Sequence, residues 1–132
     1  MAAHNELGKR GGELAAKMLR EKGYKILERN WRLGDLEVDI IARKGKFVVF
    51  VEVKTRTDDA WMNPAQAVDK KRKIRMSHAA KAYMRGHKIT DLEVRYDIVS
   101  IVLNDTRCDI EHFEDAFIPP LRTYGRYGVM YS

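Results

Sequence analysis

Two carboxylates and a lysine, Asp39, Glu52 and Lys54, are spaced so that they could hold a divalent cation against a phosphate. Two carboxylates converging on one point repel each other, by about 4 kcal/mol at ~4 Å and an effective dielectric of ~20. Either one takes up a proton or a cation sits between them. Ligation by Asp and Glu oxygens suits a hard ion, Mg²⁺ or Mn²⁺, rather than zinc. Such an ion polarises a phosphoryl oxygen and acidifies water. A lysine two residues beyond Glu52 can orient that water or steady charge on the phosphate. The same residues also suit a plainer purpose: Glu-x-Lys at a strand end is often a cross-strand salt bridge, and Asp39 can pair with an arginine. Spacing alone leaves both readings open.

Convergence depends on the stretch from Glu37 to Lys54, which reads as two β-strands joined by a tight turn at Lys44-Gly45. The second strand opens with five apolar residues, Phe47 to Val51, enough to be buried on both faces. With Lys44-Gly45 as a two-residue loop, Arg43 pairs with Lys46, Asp39 with Phe50 and Glu37 with Glu52. Side chains alternate along a strand, so Glu37, Asp39, Glu52 and Lys54 then emerge on one side, with Asp39 and Glu52 as diagonal neighbours. A one-residue slip would move the two acids to opposite faces.

The remaining elements must carry this hairpin. Asn5 to Lys22 predicts a first helix with Leu7, Gly11, Leu14, Ala15, Met18 and Leu19 on one stripe. Its glycines suggest a start near Gly12, and Gly23 ends it. Glu13 lies off the stripe and reads, on spacing alone, as a solvated acid. Tyr24 to Trp31 reads as a strand near an edge, followed by a Gly34-Asp35 turn. After a loop from Thr55 to Asn63, Pro64 opens a second helix running to about Arg85. Val68, Met76, Ala79, Ala80 and Tyr83 form its core face; Lys70, His78, Lys81 and Arg85 fall opposite, with Lys71 beside them. Leu92 to Leu103 and Asp109 to Phe113 are the last strands. The expected architecture is α/β, a mixed sheet flanked by helices in the order αβββαβ(β). It forms one domain over residues 1–118, with 119–132 a Tyr/Arg-rich tail of the same domain.

The chain has 132 residues, a third of them charged, and a net charge of +6. That excess favours polyanions or an anionic surface. No apolar run approaches a membrane span, and the N-terminal residues lack a secretory pattern. Cys108 is the single cysteine, which excludes an internal disulfide and reads as a packed thiol in a cytoplasmic protein. The four histidines show no metal-ligand spacing. Five of the seven residues from Asp69 to Arg75 are basic, commonly a solvated helix face. Lys70, Lys71, Lys73, Lys81 and Arg85, with Arg56 after the second strand, would also follow a phosphate backbone without reading sequence. Arg56 serves equally as a salt-bridge partner of Asp58 or Asp59, and Trp61 packs on its loop. The tail would contact nucleic acid or, in a homodimer, a partner subunit.

Asp39 followed by Glu52-Val-Lys54 resembles the PD-(D/E)XK nuclease signature. Gly12-Glu13-Leu-Ala-Ala, Gly23-Tyr-Lys-Ile-Leu-Glu-Arg-Asn30, Glu37-Val-Asp39-Ile-Ile-Ala, Phe50-Val-Glu-Val-Lys-Thr-Arg56 and Arg95-Tyr-Asp97-Ile-Val together resemble the YraN-like bacterial family over most of residues 4–118. The resemblance implies a restriction-endonuclease-like fold similar to archaeal Holliday-junction resolvases. It also implies an Mg²⁺- or Mn²⁺-dependent endonuclease acting on DNA, a hydrolase of phosphodiester bonds. In that scheme Asp39 and Glu52 ligate the metal, with the Val53 carbonyl nearby, and Lys54 is the catalytic lysine. Glu13 matches a first-helix glutamate that completes the metal site, and Glu37 is a supporting acid. Val38 replaces the signature's proline. Gln66 stands at a helix start as in RecB-like nucleases, but Lys70 occupies the position of their following tyrosine. The alternatives are a nucleic-acid-binding module on a nuclease scaffold with weak or absent catalysis, and a protein-interaction domain using the tail.

Overall fold

Strand β3 (Phe47–Arg56) runs through the middle of a five-stranded sheet of order β1-β2-β3-β4-β5, with β1 (Lys25–Leu33), β2 (Leu36–Lys44), β4 (Glu93–Leu103) and β5 (Cys108–Phe113). The computed structural model describes residues 2–58 and 68–119, with side chains from Glu6 onward. Only β3 and β4 are parallel; every other pair is antiparallel. The link between them carries helix α2 (Lys70–Gly86), while α1 (Ala2–Glu21) precedes the sheet.

A helix covers each face, which explains the unbroken apolar run of β3. Ala15, Ala16 and Leu19 of α1 pack on Ile40, Ala42, Val49, Val51, Val99 and Ile101. Met76, Ala79, Ala80 and Tyr83 of α2 pack on Val38, Ile41, Val48, Phe50 and Ile98. The expected α/β arrangement is therefore borne out: a mixed sheet between helices, in restriction-endonuclease-like architecture. Among the described residues no helix is long and apolar enough to cross a membrane.

Four local expectations are corrected. Helix α1 begins at Ala2, not near Gly12. Gly11 is buried against Thr55 of β3, where a Cβ would overlap the Thr55 side chain, so close packing outweighs the weak helix propensity of glycine. The β2–β3 turn is Gly45-Lys46, because Lys44 pairs with Phe47. Gly45, with φ 58°, takes the left-handed first position of the loop, which a lysine would occupy at a cost. Helix α2 does not run through Val68 and Asp69. Asp69 instead caps it, its carboxylate accepting from the Arg72 N–H at 2.8 Å. Cys108 is exposed, not packed, at the first position of the edge strand β5. Pro64, Trp61, Asp59 and Gln66, and the tail residues from Pro120 onward, lie outside the described residues.

Shifting both turn residues by one moves the register by two, so side-chain parity survives and Asp39 and Glu52 stay on the same side. One irregularity matters for the site. Ile40 and Ala42 face α1 while Val38 faces α2, as Ile41 does. Alternation along β2 therefore breaks at Asp39. On the paired strand, Arg29 aligns with Ile40 and Trp31 with Val38, and Asn30 between them is left-handed at φ 52°. Asn tolerates that conformation better than most residues.

Candidate functional site

Asp39 sits where the β2–β3 ladder ends. The last paired residues are Ile40 and Val51, and the Val53 N–H donates to Asp39 Oδ2 at 2.8 Å. The carboxylate thus replaces a ladder carbonyl and is fixed in the gap between separating strands. Glu52, 5% exposed, follows Phe50 on the α2 side. Lys54 is next in that alternation, its Nζ 3.5 Å from Glu52 Oε2. Glu37, Asp39, Glu52 and Lys54 line one cavity of about 490 Å³ together with Lys71, Arg72 and Arg75.

The electrostatics follow from this crowding. Burial first, and then the neighbouring Glu52, push the Asp39 carboxyl up to about 6, against the opposing pull of the Val53 N–H and of Arg72. Arg72 from the first turn of α2 donates from Nη2 and Nε to Glu52 Oε1, at 2.9 and 3.2 Å. Its Nη2 also donates to the Glu37 carbonyl at 3.0 Å. Glu52 is therefore flanked by two cations, while Asp39 has one backbone donor.

Two carboxylates at the end of a sheet fit Mg²⁺ or Mn²⁺, ions that need only one or two carboxylates and keep several waters. The raised Asp39 carboxyl marks a pair whose charge the protein does not fully neutralise. No three His, Cys, Asp or Glu side chains converge on one point among the described residues, so these residues would offer any ion the two carboxylates and no third such side chain.

Of the other described residues singled out from the sequence, Glu37 and Lys71 line the cavity of Asp39 and Glu52 and the rest lie apart from it. Glu13 is exposed on α1 and lines neither cavity that Asp39 touches; the α1 residues that share a cavity with Asp39 are Leu7, Gly8, Lys9 and Gly12. Exposed Glu37 is 3.3 Å from Arg32. Arg56 donates from Nη2 to Ser100 Oγ at 3.3 Å, and its Nε and Nη1 are buried without a hydrogen-bond partner among the described residues. Lys70, Lys71, Lys81 and Arg85 are exposed on α2. Lys73 instead lies 5.4 Å from the Phe117 ring centre.

Sequence reasoning missed Arg72, hidden in a basic run. The signal was present: Arg72 lies one turn before Met76 and continues the stripe Met76, Ala79, Tyr83, so it points inward. A second buried polar cluster was also missed. Asp97 is fully buried. It accepts from Arg95 Nε and Nη2 at 2.9 and 2.8 Å and from the Asp115 N–H at 2.9 Å, with His112 Nε2 at 2.7 Å. Burial alone would raise its carboxyl, but these hydrogen bonds hold it below the usual carboxylate range. An acid in register with apolar Val99 and Ile101 was its sequence signal.

Residues 11–101 match the family described as "Uncharacterised protein family UPF0102". A UPF0102 protein of Bacteroides thetaiotaomicron is 46% identical over 121 residues, 92% of this chain and 99% of the relative. One of Christiangramia forsetii is 45% identical over 117 residues, 89% of this chain and 98% of the relative. One of Porphyromonas gingivalis is 45% identical over 119 residues, 89% of this chain and 87% of the relative. With an acid in β2, another in β3 and a lysine two residues on, the chain belongs to the UPF0102 family, a PD-(D/E)XK nuclease-like family.

Proposed function

We propose that this chain is a metal-dependent endonuclease that binds DNA and hydrolyses phosphodiesters at Asp39, Glu52 and Lys54. The observation that carries this is the pair itself. Asp39 and Glu52 approach from adjacent strands in one cavity, and Asp39 is pushed up to about 6 by burial and by Glu52. Mg²⁺ or Mn²⁺ held by the two carboxylates supplies Lewis acidity to the phosphoryl group and acidifies water. Lys54, beside Glu52 Oε2, holds its ammonium where it can donate to a phosphoryl oxygen or orient the attacking water. Lys71 and Arg75 on the cavity wall, with Lys70 at the start of α2 and Lys81 and Arg85 further along it, bind the phosphate backbone and position the strand.

A second reading, a DNA-binding module with slow or absent catalysis, is favoured by one contact. Arg72 already engages the Glu52 oxygen that a cation would claim. The test is a cleavage panel with Mg²⁺ and Mn²⁺ over duplex, single-stranded and branched DNA. Asp39→Ala and Lys54→Ala are expected to abolish cleavage while DNA binding persists. Unchanged cleavage by both variants overturns the site. Salt-sensitive binding with no cleavage of any substrate supports the second reading.

A further inference from the structure

Asp39, Val53 and Lys54 form a wall between two cavities. The one on the α2 side contains Glu52 and Arg72. The other, about 510 Å³, is lined by Gly8, Lys9 and Gly12 of α1, Arg29 and Asn30 of β1, and Thr55 of β3. Its charged lining is Lys9, Arg29 and Lys54 against Asp39 alone. That balance is the reverse of an ion-pair network, and it suits an anion.

Three observations give this cavity a built character. Arg29 Nε is buried and has no hydrogen-bond partner among the described residues. That nitrogen is closed to solvent, so a ligand in the cavity would meet the guanidinium through its Nη groups, for which a phosphate oxygen is a well-matched acceptor. Glycine clears the helix surface beneath: a Cβ at Gly12 would meet Arg29 Nη2 at 3.0 Å, so the guanidinium lies directly over the helix there. Gly8 borders open space, with nothing within 4 Å of where its Cβ would be. The third observation is the shared wall: Asp39, Val53 and Lys54 line both cavities, so the two open on the same side chains. A volume of this size accepts a small ligand or one segment of a single strand, not the face of a duplex.

We infer that the α1-side cavity is a phosphate subsite for the nucleotide adjacent to the one at Asp39 and Glu52, with Arg29 and Lys9 as its anion-binding groups and a single nucleic-acid strand as its ligand. The identity of the ligand rests on the nuclease reading; the anion site rests on the cavity.

The experiment measures binding of a short labelled oligothymidylate in EDTA, where nothing is cleaved, across about 50 to 200 mM salt. The wild type is expected to bind with a steep dependence on salt. Arg29→Ala and Lys9→Ala should each weaken binding several-fold and lower the slope by about 0.7, the release expected for one lost single-strand phosphate contact. Gly8→Glu places an acid at the cavity mouth without a clash and with better helix propensity. It should bind several-fold more weakly while melting no lower than the wild type, which separates lost binding from lost folding. Wild-type affinity and slope in both Arg29→Ala and Gly8→Glu overturn the proposal, as does absence of oligonucleotide binding by the wild type. Inorganic phosphate raising the melting temperature, while the oligonucleotide ignores all three substitutions, makes this a free-phosphate site and overturns the strand subsite. A duplex bound as tightly, and weakened as much, overturns the single-strand assignment. Arg29-dependent binding without Mg²⁺-dependent cleavage keeps the subsite and removes the nuclease reading. Cleavage with binding indifferent to these residues removes the subsite alone.

Discussion

Arg72 and Glu52 meet twice across the α2–β3 interface, with Nη2 and Nε at 2.9 and 3.2 Å from one carboxylate oxygen. Both are largely buried, at 19% and 7% side-chain exposure. Removing one partner of such a pair leaves an uncompensated charge, at a cost of about 3 kcal/mol. Arg72→Ala should therefore lower metal-free stability by about that amount in urea unfolding. Millimolar Mg²⁺ should restore part of it, and the gain should exceed that of the wild type because no guanidinium competes for Glu52. An unchanged urea midpoint would show that the pair contributes nothing to stability.

Asp39 gives a pH signature. Its folded pKa of about 6 lies above the ordinary 3.8, so the folded chain binds that proton more tightly than the unfolded one. Stability on this account falls as pH rises from about 4 to 6 and is level above. Two pKa units correspond to about 3 kcal/mol at most, and partial solvent access reduces this to about 1–2 kcal/mol. Asp39→Asn keeps an acceptor for the Val53 N–H and loses the charge. It should melt higher than the metal-free wild type at pH 7.5 and no higher at pH 4. Equal differences at both values would contradict the raised carboxyl.

Asp97 behaves oppositely. Its folded pKa lies below its unfolded one, so its contribution is present above about pH 4 and lost as pH falls through the folded value. Asp97→Asn leaves Arg95 buried with its main partner neutral, and should cost about 3 kcal/mol or more. Circular dichroism titrations should show acid unfolding beginning at higher pH in the variant.

Gly11 sets how closely α1 rides on β3. A Cβ there would overlap Thr55 and lie 2.9 Å from Thr55 Cβ, so Gly11→Ala should destabilise by about 1–3 kcal/mol despite its better helix propensity. Adding Thr55→Gly should recover part of the loss, read as coupling in a double-mutant cycle. Independent, additive effects would place the strain elsewhere.

Much of this fold was legible because apolar alternation and glycine turns are local signals. Five buried residues from Val48 to Glu52 announced a central strand, and Asn5 to Leu19 carried a helical stripe. The acids were placed on one side despite a misplaced turn, because a shift of two residues preserves parity. What stayed hidden was non-local. Arg72 sat in a basic run whose inward member only a helical wheel separates from its solvated neighbours. The inversion at Asp39 needed the left-handed Asn30 on another strand. Arg29 and Lys9 meet Asp39 only because α1 crosses the end of the sheet, and no pattern within either segment states that crossing.

The parallel pairing of β3 with β4 also has a consequence for how the chain is made. Asp39 and Glu52 belong to one hairpin, while Arg72 and the parallel neighbour of β3 lie further along the chain. Hairpins close early and parallel pairs late, since their loop-closure entropy is spent before their contacts form. During synthesis the acidic hairpin therefore leaves the ribosome before the arginine that neutralises Glu52 and before the strand that shelters it. Until Arg72 arrives, the hairpin must close against the repulsion of its own two acids.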